Sequence, residues 1–168
     1  MDNRVDPVIN ETNENRMRFA AFCRSLSPAE LSAIVPGGSW MVRDYIAHLA
    51  SIDVYVADWF EHQADGRPWR PKGEDGGAFS IDPWNESRIE ERMDASVDDL
   101  LAEAAVHRQR LWAAVDRFSP EVLDARFDFR GNNITFLRYL QLWAAHDPAH
   151  TADMLRGLPE RGGNGVPE

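Results

Sequence analysis

The segment WMVRDYIAHLASIDVYVADWFEHQA, residues 40–64, reads as one long helix. Met41, Tyr45, His48, Ile52, Tyr55 and Trp59 recur at steps of three and four and share one line on a helix of 3.6 residues per turn. Val42, Ile46, Leu49, Val56 and Phe60 form the line beside it. Two adjoining apolar lines must be buried against other elements, so this helix demands partners along its whole length.

Three partners are legible. Phe19, Phe22, Cys23 and Leu26 stripe a first helix over about 11–26. Leu100, Leu101, Ala104, Leu111, Trp112, Val115 and Phe118 stripe a third over about 97–118. Phe136, Tyr139, Leu140, Trp143, His146, His150 and Met154 stripe a fourth over about 135–157, ending at Gly157 with Pro159 beyond. Start signals agree with these bounds. Ser27-Pro28-Ala29-Glu30 is a capping box with proline at the first helical position, and Ser96-Val97-Asp98-Asp99 repeats its logic. Ser39, Asp82-Pro83 and Ser119-Pro120 mark further starts, with a short helix around 83–94. No sustained period-two alternation predicts a strand. The fold expected is all-α, a four-helix bundle with a long crossover between helices 2 and 3. Pro148 removes a hydrogen bond to the carbonyl of Ala144 and should bend the fourth helix.

The 168 residues fit one domain over 1–168, with an ordered core over about 10–158 and a disordered tail over 159–168. The Gly/Pro-rich segment 65–80 is long enough to be a functional or mobile loop. Apolar residues at 43% and six tryptophans are globular composition. No run approaches the roughly 20 apolar residues of a membrane span, the polar N-terminus lacks a secretory signal, and the single cysteine, Cys23, suits a reducing compartment. A cytoplasmic protein is expected, with no membrane partner. A net charge of −10 repels a phosphate backbone, which argues against nucleic acid.

His146-Asp147-Pro148-Ala149-His150 places two imidazoles one turn apart on one helix face. His48, on the apolar line of the second helix, points into the same bundle. Spacing leaves two readings. The three rings are core histidines with satisfied hydrogen bonds, or they hold one divalent cation and leave a coordination position open for water or substrate. His62 lies about 21 Å along the helix from His48 and cannot join them, while His107 suits a hydrogen-bonded interface histidine. Asp44 and Asp153 stand about one turn from His48 and His150, and each is either an orienting partner of a ligand imidazole or a solvated carboxylate. The motif lacks the glutamate of H-E-x-x-H, which argues against peptidase chemistry.

At these residues the chain resembles the DinB-like superfamily of metal-binding four-helix bundles, which includes bacillithiol transferases and mycothiol-dependent maleylpyruvate isomerases. The resemblance lies in Ser39-Trp40-Met41-Val42-Arg43-Asp44-Tyr45-Ile46-Ala47-His48-Leu49, in Ile81-Asp82-Pro83-Trp84-Asn85 with the Arg-bearing helix after it, and in His146-x-x-x-His150. It spans about residues 10–158. It implies one Zn, Ni or Fe ion on His48, His146 and His150, frequent homodimers, and chemistry that joins a low-molecular-weight thiol to an electrophile or uses such a thiol to isomerise one. Self-protection against reactive metabolites occurs among relatives. The mycothiol-dependent isomerases tend to carry Glu where His146 stands, and many have an appended C-terminal domain. That departure weakens maleylpyruvate itself as the substrate.

The function expected is a metal-dependent enzyme, either a thiol transferase or isomerase with a mycothiol-type cosubstrate or a hydrolase, acting on a small electrophile. The alternatives are a protein that sequesters a small molecule without turnover and a bundle whose metal site is structural or vestigial. Trp40, Tyr45, Tyr55, Trp59, Trp84, Asn85, Tyr139 and Trp143 are candidates for the pocket wall, against ordinary core packing. Arg88 and Arg108 are candidates for holding a carboxylate, against surface snorkelling. Cys23 sits in an apolar stripe with no base beside it and is not expected to be a nucleophile.

Overall fold

The computed structural model describes residues 2–71 and 78–162. Four helical columns form the bundle: α1 (Asp6–Arg24), α3 (Val42–Ala64), α5 (Val97–Val115), and a last column made of α7 (Phe136–Ala144) and α8 (His146–Arg156). Short helices α2 (Pro28–Leu31), α4 (Ile81–Glu90), α6 (Pro120–Asp124) and α9 (Pro159–Gly162) fill the connections. Both serine capping boxes form, and Ser119 and Thr135 cap α6 and α7. The signals at Ser39 and Asp82 are displaced by one or two residues, because α3 starts at Val42 and α4 at Ile81.

Cross-helix contacts fix the directions. His107 meets the Ala50 carbonyl, Arg108 meets Asp53, Arg110 meets Glu61 and Arg117 meets Asp65, so α3 and α5 climb together. Parallel neighbours cannot be joined by a tight turn, which explains the long crossover through α4. Asn15 meets Ala144 and Arg16 meets Asp147, so α1 also runs parallel to the last column. Arg24 meets Asp98 while Asn13 meets Trp112, so the two parallel pairs oppose each other.

The last column is two helices where the sequence predicts one bent helix. Ala145 separates them at φ −83° and ψ −2°. Pro148 accounts for the break, since it has no N–H for the Ala144 carbonyl. Asn15 Nδ2 donates to that carbonyl at 2.9 Å instead, so α1 supplies the bond that proline removes.

Two further expectations are corrected. A two-stranded hairpin, β1 (Arg126–Phe129) and β2 (Asn132–Thr135), stands where no strand was expected. Its two-residue loop, Arg130-Gly131, has φ of 53° and 78°, the positive pair that a tight hairpin of primed type requires. Phe127 and Phe129 pack against Trp59 and Tyr139, which ties the hairpin to the bundle. Residues 159–162, expected within a disordered tail, instead form α9, and Arg161 binds Glu30 and Ser25. Residues 163–168 and residues 72–77 of the long loop lie outside the described residues. Among the described residues no helix is long and apolar enough to cross a membrane.

Among the described residues the charged groups buried in the core, Asp53, Arg108 and Asp147, belong to one ionic knot to which all four columns contribute. Arg16 of α1 binds Asp147 of α8 at 2.6 Å and 3.0 Å, and Arg108 of α5 binds Asp53 of α3 at 2.6 Å and 3.2 Å. Arg16 also reaches Asp53 at 3.4 Å and Arg108 reaches Asp147 at 3.6 Å. Asp53, Arg108 and Asp147 are each less than 5% exposed. Two cations and two anions cancel, the condition under which charge is tolerated at such depth. The carboxylates outweigh the cost of burying the Arg108 guanidinium, so its pKa moves up.

Candidate metal centre

His48 reaches the centre from the middle of α3, and His146 and His150 from the first two turns of α8. The knot beneath them fixes the start of α8 through Asp147, the neighbour of His146. One ring nitrogen from each histidine lies within 4.8 Å of the other two. The Nε2 atoms of His146 and His150 are 3.1 Å apart. Ligand bonds of about 2.0–2.1 Å put neighbouring ligand nitrogens about 3 Å apart, so this spacing suits two imidazoles on one ion.

Buried side-chain atoms without hydrogen-bond partners gather here, namely His48 Nδ1, His146 Nδ1, Asn85 Oδ1 and Trp143 Nε1. Orphans at that density mark a ligand site more than a settled core. Burial pushes the His48 imidazole down to about 3, with His150 adding to the shift and Asn85 opposing it. Burial also holds His146 well below the ordinary range, reinforced by the neighbouring histidines and by Arg108 and Arg16. Both rings are therefore neutral at pH 7 and keep lone pairs for a cation. Two Nε2 atoms in contact can share at most one proton, whereas a cation satisfies both. The residues present thus fit a divalent ion.

Neighbours hold the rings in place. His150 Nδ1 donates to Asp153 Oδ2 at 3.0 Å, which leaves its Nε2 facing the centre. Trp143 stacks on His146 at 4.4 Å, and Trp40 lies 5.3 Å from the His48 ring. Asp44 is used otherwise: its Oδ2 accepts the Met41 N–H at 2.8 Å and caps α3. Asn85 of α4, grouped with the pocket wall in the sequence, is the polar neighbour of His48.

The histidines open into a cavity of about 510 Å³. Of the residues suggested for its wall, Trp40, Tyr55, Asn85, Tyr139 and Trp143 line it. Tyr45 lies behind the centre, 5.5 Å from the His150 ring. Trp59 packs into the aromatic core between Phe60, Phe127 and Phe136. Trp84 and Arg88 line a neighbouring cavity of about 590 Å³, and Arg88 pairs with Glu91 at 3.0 Å. Arg108 is corrected outright, since its guanidinium is locked in the knot and does not line the cavity. The sequence reading missed Ile52, Val56, Ile81, Asp82, Phe129, Arg130 and Leu142. The only sequence signal for Phe129 and Arg130 is the short Phe-x-Phe run into Arg-Gly.

His62 bonds the Asp58 carbonyl at 2.7 Å within its own helix and faces the neighbouring cavity. His107 donates from Nδ1 to the Ala50 carbonyl at 2.8 Å, the interface role expected of it. Burial pushes the Cys23 thiol up to about 12, so this chain has no reactive thiol of its own.

A family model described as the DinB superfamily matches residues 11–154. The structure is similar to that of YfiT from Bacillus subtilis, with TM-score 0.73 and 18% identity over 96% of this chain and 90% of that one. YfiT is described as a probable metal-dependent hydrolase with an unusual four-helix bundle topology. An uncharacterised protein from Escherichia coli UTI89 superposes with TM-score 0.65 and 16% identity, over 95% of this chain and 94% of that one. YjoA, a DinB-like protein from Bacillus subtilis, does so with TM-score 0.58 and 15% identity over 97% of each chain. No curated protein matches the sequence.

Proposed function

The chain belongs to the DinB superfamily, and we propose that it is a metal-dependent enzyme in which His48, His146 and His150 hold one divalent ion beside a pocket for a small electrophile. The observation that carries this reading is the convergence of three imidazoles, two of them kept neutral by burial, at the edge of a cavity of about 510 Å³. When bound, the ion supplies positive charge that polarises the electrophile and acidifies a water or thiol.

The chain's own residues do the rest. Asp153 sets the tautomer of His150, and the Trp143 stack fixes the plane of His146. Ile52, Val56, Phe129, Leu142 and Trp143 give the cavity an apolar wall that excludes bulk water around the reacting bond. Burial keeps the phenols of Tyr55 and Tyr139 in that wall protonated, so each is available as a neutral donor. Because Cys23 is buried and protonated, the nucleophile comes from solution, as water or as a low-molecular-weight thiol. The description of YfiT supports the hydrolytic route, and the Trp-to-His segment with the paired histidines supports the thiol route.

The test uses p-nitrophenyl acetate and 1-chloro-2,4-dinitrobenzene as electrophiles, with and without mycothiol. Metal-loaded protein forms product, while stripped protein and His48→Ala do not. Equal turnover by stripped and loaded protein refutes the reading. Tight binding without product replaces it with sequestration.

A further inference from the structure

Arg130 occupies the first loop position of the hairpin at φ 53°, a backbone conformation that favours Asn, Asp or Gly. The tight turn requires that φ, and Asn132 Nδ2 donates to the Arg130 carbonyl at 3.2 Å, but neither feature calls for an arginine side chain. Its guanidinium makes no ion pair or hydrogen bond among the described residues, whereas Arg16, Arg92, Arg108, Arg110 and Arg161 each bind a carboxylate. It lies 5.5 Å from the ring centre of Phe129, which itself lines the metal cavity, and Arg130 lines the same cavity. Its charge reaches Tyr139 on the inner wall, where it opposes the dominant effect of burial on that phenol. The side chain therefore lies against Phe129 at the solvent-exposed mouth of the cavity. Among the described residues that line the cavity it is the only Arg or Lys, against one carboxylate, Asp82.

We infer that Arg130 is a specificity-determining residue that selects small molecules carrying a carboxylate beside an apolar or aromatic body, the carboxylate on the guanidinium and the body against Phe129, Leu142 and Trp143. This rests on the cavity being the substrate site. A positive-φ position held by an arginine whose charge no carboxylate meets among the described residues is where a functional constraint is expected. The sequence pointed to Arg88 or Arg108 for such a carboxylate, but the geometry of the cavity assigns it to Arg130. A planar guanidinium takes a carboxylate through paired N–H donors, and the exposed position moderates the gain.

The test measures binding without turnover, by calorimetry with phenylacetate and its uncharged analogue phenylacetamide. Wild-type protein should prefer the carboxylate by about tenfold, equivalent to about 1.4 kcal/mol. Arg130→Gly should erase that preference, leave phenylacetamide binding unchanged, and keep or raise the melting temperature, because glycine suits the positive φ. Arg130→Lys should retain part of the preference. The His146→Ala, His150→Ala double variant should keep it, since the ion is not what holds the carboxylate. Absence of a preference in the wild type, its survival in Arg130→Gly, or its loss only with the histidine pair overturns the inference. Absence of the preference in the wild type leaves the metal reading standing, and failure of the turnover screen leaves this test standing.

Discussion

Removing Asp53 should be among the most damaging single changes in the bundle. Its carboxylate is fully buried and binds Arg108 at 2.6 Å and 3.2 Å and Arg16 at 3.4 Å. In Asp53→Ala, two guanidiniums face one remaining carboxylate, Asp147, and one positive charge is left uncompensated in the core. Breaking a buried pair in this way costs about 3–5 kcal/mol, against a total stability of about 5–15 kcal/mol for a domain. At about 2–4 °C per kcal/mol for a chain of this size, the melting temperature should fall by about 6–20 °C. The double variant Asp53→Leu, Arg108→Met removes one charge of each sign and leaves the Arg16–Asp147 pair intact. It should cost no more than about 1 kcal/mol, so the two single substitutions should be strongly non-additive. Urea unfolding of Asp53→Ala, Asp53→Leu, Arg108→Met and the double variant, all stripped of metal and compared at pH 7, reads this directly. A loss below about 1 kcal/mol in Asp53→Ala, or a double variant as damaged as the sum of the singles, refutes the reasoning.

Two further outcomes follow from the buried groups. Because burial holds the Cys23 thiol at about 12, native protein should react with a thiol-specific disulfide reagent at pH 8 far more slowly than protein in denaturant, and equal rates would contradict its placement. In metal-free protein the His48 ring, at about 3 when folded, takes up protons near 6.5 when unfolded. The unfolded state then binds more protons below pH 6.5, so stability is full above that value and falls as the pH drops. The slope is about 1.4 kcal/mol per pH unit from His48, with His146 adding in the same direction. Urea midpoints at pH 7.5, 6.0 and 5.0 should show that decline, and His48→Gln should make it shallower, with the His146 contribution remaining.

Much of the fold was legible because local signals agreed. The apolar lines of residues 40–64, the serine caps and the stop at Gly157 are read over one or two turns, and they recovered α3, α5 and the outer bounds of the last column. What escaped depends on distant partners. The break at Ala145 needs Asn15 to satisfy the Ala144 carbonyl, and no local pattern in α1 announces that task. The hairpin has strands of only four residues, too short to establish a period, and its hold on the bundle comes through Trp59 and Tyr139. The histidines were legible because they lie on inward lines one turn apart, and the structure brings the three together. The cavity wall was read less well. Tyr45, Trp59 and Trp84 share helical lines with true wall residues, and only the crossover and the hairpin decide which rings face the opening. Arg108 was misread because a buried arginine and a snorkelling one have the same sequence context, and the difference is Asp53 on another helix.

The measurement that bears most directly on the account is the metal content of protein purified without chelator and without added metal. Elemental analysis should find about one divalent ion per chain in the wild type and essentially none in His146→Ala, His150→Ala, with both proteins showing the same helical circular dichroism. The wild type's melting temperature should fall on chelation and recover when the ion is restored, while the double variant should respond to neither step. Unchanged metal content in a folded double variant, or a wild type that binds no divalent ion when one is supplied, would contradict the assignment of His48, His146 and His150.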